Sequence, residues 1–257
     1  MKRFYRIEHE GKPRYAVSEG DARPGDARLV DGDIFGEWTP GGPVALDGQR
    51  LLAPVAPSKI VAIGRNYRDH AAELNNPVPV EPLIFLKPPS AIVGPGEPIV
   101  LPPGAGRVDH EAELGVVIGA RARHVRAEDA SRYVFGLTCV NDVTARDIQK
   151  KDVQFTRGKG FDTFAPIGPC IVTGVDYHAP DGLLVEGLVN GERRQHGSTS
   201  ALIFPIDYLI QFVSAVMTLL PGDIISTGTP AGVGPLAAGD TVTVRVAHVG
   251  ELTNPVR

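Results

Sequence analysis

Thirty glycines and 23 prolines cut this 257-residue chain into short apolar runs with no repeat period. Proline removes a backbone donor, and glycine weakens a helix interior by about 1 kcal/mol, so segments punctuated this densely favour strands joined by turns. The expected fold class is therefore mainly β with a few helices, an α+β arrangement. The first strands are predicted at Phe4–Ile7, Arg14–Val17 and Arg28–Val30, with turns at Gly20-Asp21, Pro24-Gly25 and Asp31-Gly32. They read as a small β domain over residues 1–55. The prolines of Ala53–Ser58 keep the chain extended, and the buried-type strand Lys59–Gly64 then opens a second domain, 56–257. Further strands are predicted at Leu83–Leu86, Glu113–Ile118, Val134–Cys139, Cys170–Thr173, Leu183–Val189, Asp223–Thr227 and Thr241–Val246. Helices are expected after Tyr67 to Leu74, over Thr144–Val153 and over Pro205–Leu219. In the last, Ile206, Leu209, Ile210, Val213, Val216, Met217 and Leu220 form a stripe of helical period that belongs to a core.

Charge excludes several classes. With 26 basic and 30 acidic side chains the chain carries a formal charge of −4, with no basic stripe for nucleic acid. Cys139 and Cys170 are too few for a disulfide framework and lack metal-site spacing, which points to a reduced, cytoplasmic setting. The charged N-terminus has no apolar run behind it and is not read as a signal peptide. The most apolar stretch, Leu209–Leu220, contains Gln211 and Ser214 and is shorter than the roughly 20 residues of a membrane span.

The stretch Asp109-His110-Glu111-Ala112-Glu113 carries the densest chemistry. If it is a strand, alternation puts Glu111 and Glu113 on one face. Two carboxylates so close repel unless a cation lies between them, and a hard divalent ion takes carboxylate oxygens. Asp142, where a strand ends and a helix begins, is the candidate third donor. The alternative is a solvent-facing pair with Asp142 as a helix cap. One and two turns beyond Asp142, Arg146 and Gln149 suit a substrate carboxylate or carbonyl. His70 and Glu73 stand three apart, the spacing at which a carboxylate orients an imidazole base, or else a solvated ion pair. Lys159, between Gly158 and Gly160, is expected on a flexible loop, and Lys87 at a strand end. Ser226–Gly234 has the composition of an anion-cradling loop and equally of a tight turn; it lacks the offset of a Walker loop.

Taken in order, GRNYRDHAAE, FLKP, DHEAELGVVIG, NDVTARDIQ, the Lys159 segment, VNGERRQHGSTS and GDIISTGTPAGVG resemble the fumarylacetoacetate hydrolase family from Lys59 to Val256. The first fifty-odd residues look like the small N-terminal domain of many of its bacterial members. The resemblance implies a mixed β-sandwich roll, a homodimer, and one divalent metal per subunit, Mg2+ or Mn2+, on Glu111, Glu113 and Asp142. It implies a catalytic dyad of His70 and Glu73, an active-site lysine at Lys159, and substrate contacts from Arg65, Lys87, Arg146, Gln149 and Thr229. The helix carrying His70 would belong to a lid, with 75–79 as its hinge. The implied substrate is a small 2-oxo acid. Hydrolysis of an acylpyruvate or fumarylpyruvate carbon–carbon bond, through a metal-stabilised enolate, is the leading activity. Isomerisation of 2-hydroxyhepta-2,4-diene-1,7-dioate, decarboxylation of 5-oxopent-3-ene-1,2,5-tricarboxylate or decarboxylation of oxaloacetate is the alternative. A non-catalytic binding module on the same roll would be expected to lack one of these side chains, and all are present.

Overall fold

The first hairpin shows how local chemistry sets register. Lys2–His9 and Lys12–Glu19 pair from Lys2↔Glu19 to His9↔Lys12, so only Glu10 and Gly11 remain for the turn. Both have positive φ, 51° and 73°, the backbone that a two-residue turn between right-twisted strands requires. The computed structural model describes residues 1–20, 27–75 and 77–257. The expected turns around Asp21 and Pro24-Gly25 lie outside the described residues.

Among the described residues the largest sheet has twelve strands, and the N-terminal meander is its edge. The outermost strand, Trp38–Val44, carries Pro40 and Pro43, which a central strand could not accommodate. Lys2–His9 pairs antiparallel with Ala165–Thr173 (Lys2↔Thr173), so the N-terminal strands continue the sheet formed by the rest of the chain. Phe4, Trp38, Phe35 and Phe135 pack there with ring centroids 4.8 to 5.3 Å apart. A four-stranded sheet runs Glu192–Ser198, Leu184–Val189, Thr241–Val246, Gly250–Pro255, and a three-stranded one joins Thr144–Ala145, Val108–His110 and Gly234–Pro235.

The helices are few: α1 (Arg68–Glu73), α2 (Arg146–Asp152), α3 (Thr156–Lys159) and α4 (Ile206–Val216). In α4, Ile206, Leu209, Ile210 and Val213 enter the main core with Leu114, Val116 and Leu137. Each such side chain contributes roughly 1.5–3 kcal/mol by leaving water. The helix ends earlier than predicted, and Val216 and Leu220 are 56% and 39% exposed rather than in the core. Among the described residues no helix is long and apolar enough to cross a membrane.

The topology gathers distant segments at one end of the large sheet. Ala112–Ile118 starts where Val134–Asn141 stops (Ala112↔Asn141), and Ile224–Ser226 stops beside it (Gly115↔Ser226). Ile60–Gly64 runs parallel to Ile224–Ser226, so its C-terminal end also points there. Glu111, Asp142, Arg65 and the loop after Ser226 therefore leave the sheet together.

Candidate metal and active site

A cavity of about 530 Å³ opens at this end. Its walls include the predicted Arg65, His70, Glu73, Glu111 and Glu113, and the predicted Arg146, Gln149, Lys159 and Thr229. Asp142 and Lys87 do not line it and are sealed, 1% and 0% exposed. The main chain breaks its strand at Glu111, between Val108–His110 and Ala112–Ile118. There the Glu111 amide donates to Asn141 Oδ1 (3.0 Å), and the Asp142 amide donates to the Glu111 carbonyl (2.9 Å). These two bonds bring Asp142 alongside the Glu-x-Glu pair, and one carboxylate oxygen from each of Glu111, Glu113 and Asp142 falls within a 4.8 Å cluster.

Four expectations need correction. Thr144 is in a short strand rather than at a helix start, and α2 begins at Arg146 after Ala145, so Asp142 caps nothing. Lys159 is not on a flexible loop; it ends α3 and is 3% exposed. Gly158 makes this possible, since a Cβ there would sit 2.9 Å from the Gln149 amide nitrogen, and its absence lets α3 press against α2. Lys87 is not at the cavity surface but holds Asp142 Oδ1 and the Val143 carbonyl (3.2 Å) from within. The Thr229 hydroxyl has spent its proton on the Ala112 carbonyl (2.8 Å) and accepts from Gln195 Nε2 (2.6 Å), so the hydroxyl has no proton left for a carboxylate.

The Lys159 ammonium donates to Glu111 Oε2 (2.8 Å), Asp142 Oδ2 (2.6 Å) and Thr144 Oγ1 (2.7 Å). Burial lowers the Lys159 affinity for its proton, but Asp142 and Glu111 outweigh this and hold it above its ordinary range. Arg146 donates through Nε to Asp109 Oδ2 (2.8 Å) and through Nη1 to Gln149 Oε1 (3.1 Å). Its Nη2 lies 2.6 Å from Glu111 Oε1 without hydrogen-bonding alignment. Burial would raise the Glu111 carboxyl, yet Lys159, Arg146 and His70 hold it well below the usual range. Glu113 is different: Ser226 Oγ and the Gly228 amide both donate to Oε2, and no cationic side chain reaches it among the described residues. Burial, then repulsion from Asp142 and Glu111, pushes it upward.

At the cavity, Asp109, Glu111 and Asp142 are paired by Arg107, Arg146, Lys87 and Lys159, and Glu113 is the buried carboxylate without a cationic partner among the described residues. A hard dication fits this donor set, because it would meet three oxygens and supply the charge that Glu113 lacks. His70 Nδ1 faces Glu73 Oε2 at 3.2 Å, and Glu73 Oε1 accepts from the Gly232 amide (3.0 Å). The dyad is thus held from a loop on another element, not only by helical spacing. Asn75 follows with φ 52°, but residue 76 of the expected hinge lies outside the described residues.

Sequence reasoning missed Asp109, fully buried and held by Arg107 and Arg146. It also missed Asn66, whose amide bridges Phe204 and the Thr227 carbonyl. Val153 was passed over as well: it lines the cavity with φ 63°, an uncommon backbone for a β-branched residue.

Comparison with known proteins completes the description. A family model described as "Fumarylacetoacetate (FAA) hydrolase C-terminal" matches residues 59–257, and one described as "Rv2993c-like, N-terminal" matches residues 2–54. Protein Rv2993c of Mycobacterium tuberculosis is 51% identical over 207 residues, covering 80% of this chain and 78% of that protein. The bovine mitochondrial oxaloacetate tautomerase FAHD2B is 46% identical over 216 residues, 80% of this chain and 69% of its own. The crystal structure of 2-hydroxyhepta-2,4-diene-1,7-dioate isomerase from Mycobacterium marinum superposes with a TM-score of 0.91 at 46% identity, covering 100% of this chain and 98% of that one. The mainly β fold expected from the sequence is the fold of that neighbour.

Proposed function

The chain belongs to the fumarylacetoacetate hydrolase family, enzymes that act on 2-oxo acids, and from that premise we propose a divalent-metal-dependent enzyme that works at the carbon beside a keto group. The observation that carries this reading is one cavity lined by His70 and by Glu111 and Glu113, with Asp142 completing their buried carboxylate cluster from behind the wall. Glu111, Glu113 and Asp142 would hold Mg2+ or Mn2+. Such an ion, when bound, supplies Lewis acidity toward the carboxylate and keto oxygens of a 2-oxo acid.

The remaining work falls to side chains. With Nδ1 directed at Glu73, His70 has Nε2 left to take a proton from substrate or from water. Lys159 contributes a fixed positive charge where negative charge develops on oxygen. Gln149 gives its carbonyl oxygen to Arg146, so its NH2 group is the part left for substrate. Arg65 lines the cavity with no carboxylate partner among the described residues, and we assign it the substrate carboxylate in place of the Thr229 hydroxyl. Lys87 serves as counter-charge to Asp142 rather than as a substrate contact.

Hydrolysis of an acylpyruvate to pyruvate and a carboxylic acid uses His70 on water. Isomerisation or tautomerisation uses it on carbon, and that second reading is supported by what the bovine and M. marinum relatives are called. Rates on acetylpyruvate, fumarylpyruvate, oxaloacetate and a dienoate diacid, with magnesium and with chelator, separate the two. Turnover that ignores the chelator on every substrate would defeat the metal assignment. His70→Ala should spare magnesium binding and slow turnover by roughly a hundredfold or more; parental rates would move the base elsewhere. We also propose a homodimer, to be tested by sedimentation, working in the cytoplasm on small molecules.

A further inference from the structure

The rung from the Thr227 amide to the Leu114 carbonyl (3.0 Å) ends one ladder of the large sheet. Two residues earlier, at Ala112 between Glu111 and Glu113, the strand Ile224–Ser226 no longer runs alongside. A buried main chain must find partners for its N–H and C=O. Ala112 finds them in side chains: its amide donates to Gln195 Oε1 (2.9 Å), and its carbonyl accepts from Thr229 Oγ1 (2.8 Å). Gln195, 0% exposed, also accepts from His110 Nδ1 (3.0 Å), and its Nε2 donates to Thr229 Oγ1 (2.6 Å) and the Pro230 carbonyl (2.8 Å). A glutamine amide carries the same groups as a peptide unit, and here it replaces one.

Pro230 is two residues from Gly232, whose amide holds Glu73. Gly232 has φ 101°, and a Cβ on it would lie 2.0 Å from the Arg194 carbonyl, so the loop is pressed against the strand that carries Gln195. We propose that Gln195 is a positioning residue: it fixes the 229–232 loop so that the Gly232 amide meets Glu73, and Glu73 in turn orients His70. The inference rests on the reading of His70 as the base.

Gln195→Met keeps length and removes all four hydrogen bonds. With saturating MgCl2, on whichever of oxaloacetate or acetylpyruvate the parent turns over, kcat should fall about tenfold or more. In a Glu73→Gln background the same change should alter kcat by less than about twofold, because the route through Glu73 is already cut. Equal loss in both backgrounds, or none in the parent, overturns the proposal. Calorimetric titration with MgCl2 gives a readout independent of turnover: pinning Ala112 between two ligands predicts roughly tenfold weaker binding in Gln195→Met, and an unchanged affinity counts against it. If Glu73→Gln leaves kcat intact, the base assignment fails, and the calorimetric arm alone decides the role of Gln195. Should the methionine variant not fold, Gln195→Glu, which keeps the acceptor and loses both donors, enters the same cycle and the same titration.

Discussion

Two charged networks in this molecule use the same groups to different ends. At the cavity, Asp109, Glu111, Asp142, Lys87, Arg146 and Lys159 pair at side-chain exposures of 0 to 5%. On the four-stranded sheet, Glu186 meets Arg193, His196 and Arg245, and Arg245 also meets Glu251, with those partners 42 to 57% exposed. Burial would raise the Glu186 carboxyl, but hydrogen bonds from Arg193, Arg245 and His196 hold it below its ordinary range. The outer pairs are screened by water and salt, whereas each inner charge depends on its partner. Buried ion pairs are seldom the most stabilising way to fill a core, so the inner network is best explained by the chemistry it prepares.

The difference is open to attack, beginning with the largest effect. Asp142→Asn removes the counter-charge of two lysines and one cation donor. Magnesium-dependent turnover should fall by about a thousandfold or more, and calorimetry should show weakened binding; intact affinity would remove Asp142 from the ligand set. Lys87→Met touches no cavity surface, yet urea unfolding should show a loss of about 3 kcal/mol, since Asp142 is left short of a buried partner. A loss under about 1 kcal/mol would place this pair with the surface ones. Magnesium at a hundred times its Kd should stabilise the parent by about 2.7 kcal/mol and the Asp142→Asn variant by far less. Equal stabilisation of both would put the ion elsewhere. The smallest effect belongs to Arg245→Ala, about 0.5 kcal/mol and fading with added salt. A loss resembling that of Lys87→Met would erase the contrast.

What was legible in the sequence follows the same division between inside and edge. Central strands such as Val134–Asn141 and Ala112–Ile118 announce themselves because both faces are apolar. Three longer strands that the apolar pattern does not signal, Trp38–Val44, Glu192–Ser198 and Gly250–Pro255, are sheet edges, where charge, glycine and proline are tolerated and alternation fades. For Glu192–Ser198 a signal existed: Asn190-Gly191, at φ 53° and 80°, is a hairpin turn between Val189 and Glu192. Missing that strand hid Gln195. The site residues were readable as types and spacings, but not how their hydrogen bonds are spent. Nothing in Phe-Leu-Lys-Pro says that Lys87 turns inward to Asp142, and nothing near Thr229 says that its proton belongs to Ala112. Those facts arise from long-range packing.

The aromatic seam between the N-terminal meander and the large sheet gives the molecule a built-in optical gauge. Trp38 is the sole tryptophan of the chain, edge-on to Phe4 at 5.3 Å and under the Lys2 ammonium at 4.8 Å. Its emission reports on the seam, and Trp38 is not among the residues that line the 530 Å³ cavity. Since the two halves share hydrogen-bonded strands, fluorescence and far-ultraviolet dichroism should trace a single coincident melting curve, and a Phe4→Ala change should redden the emission before it touches turnover.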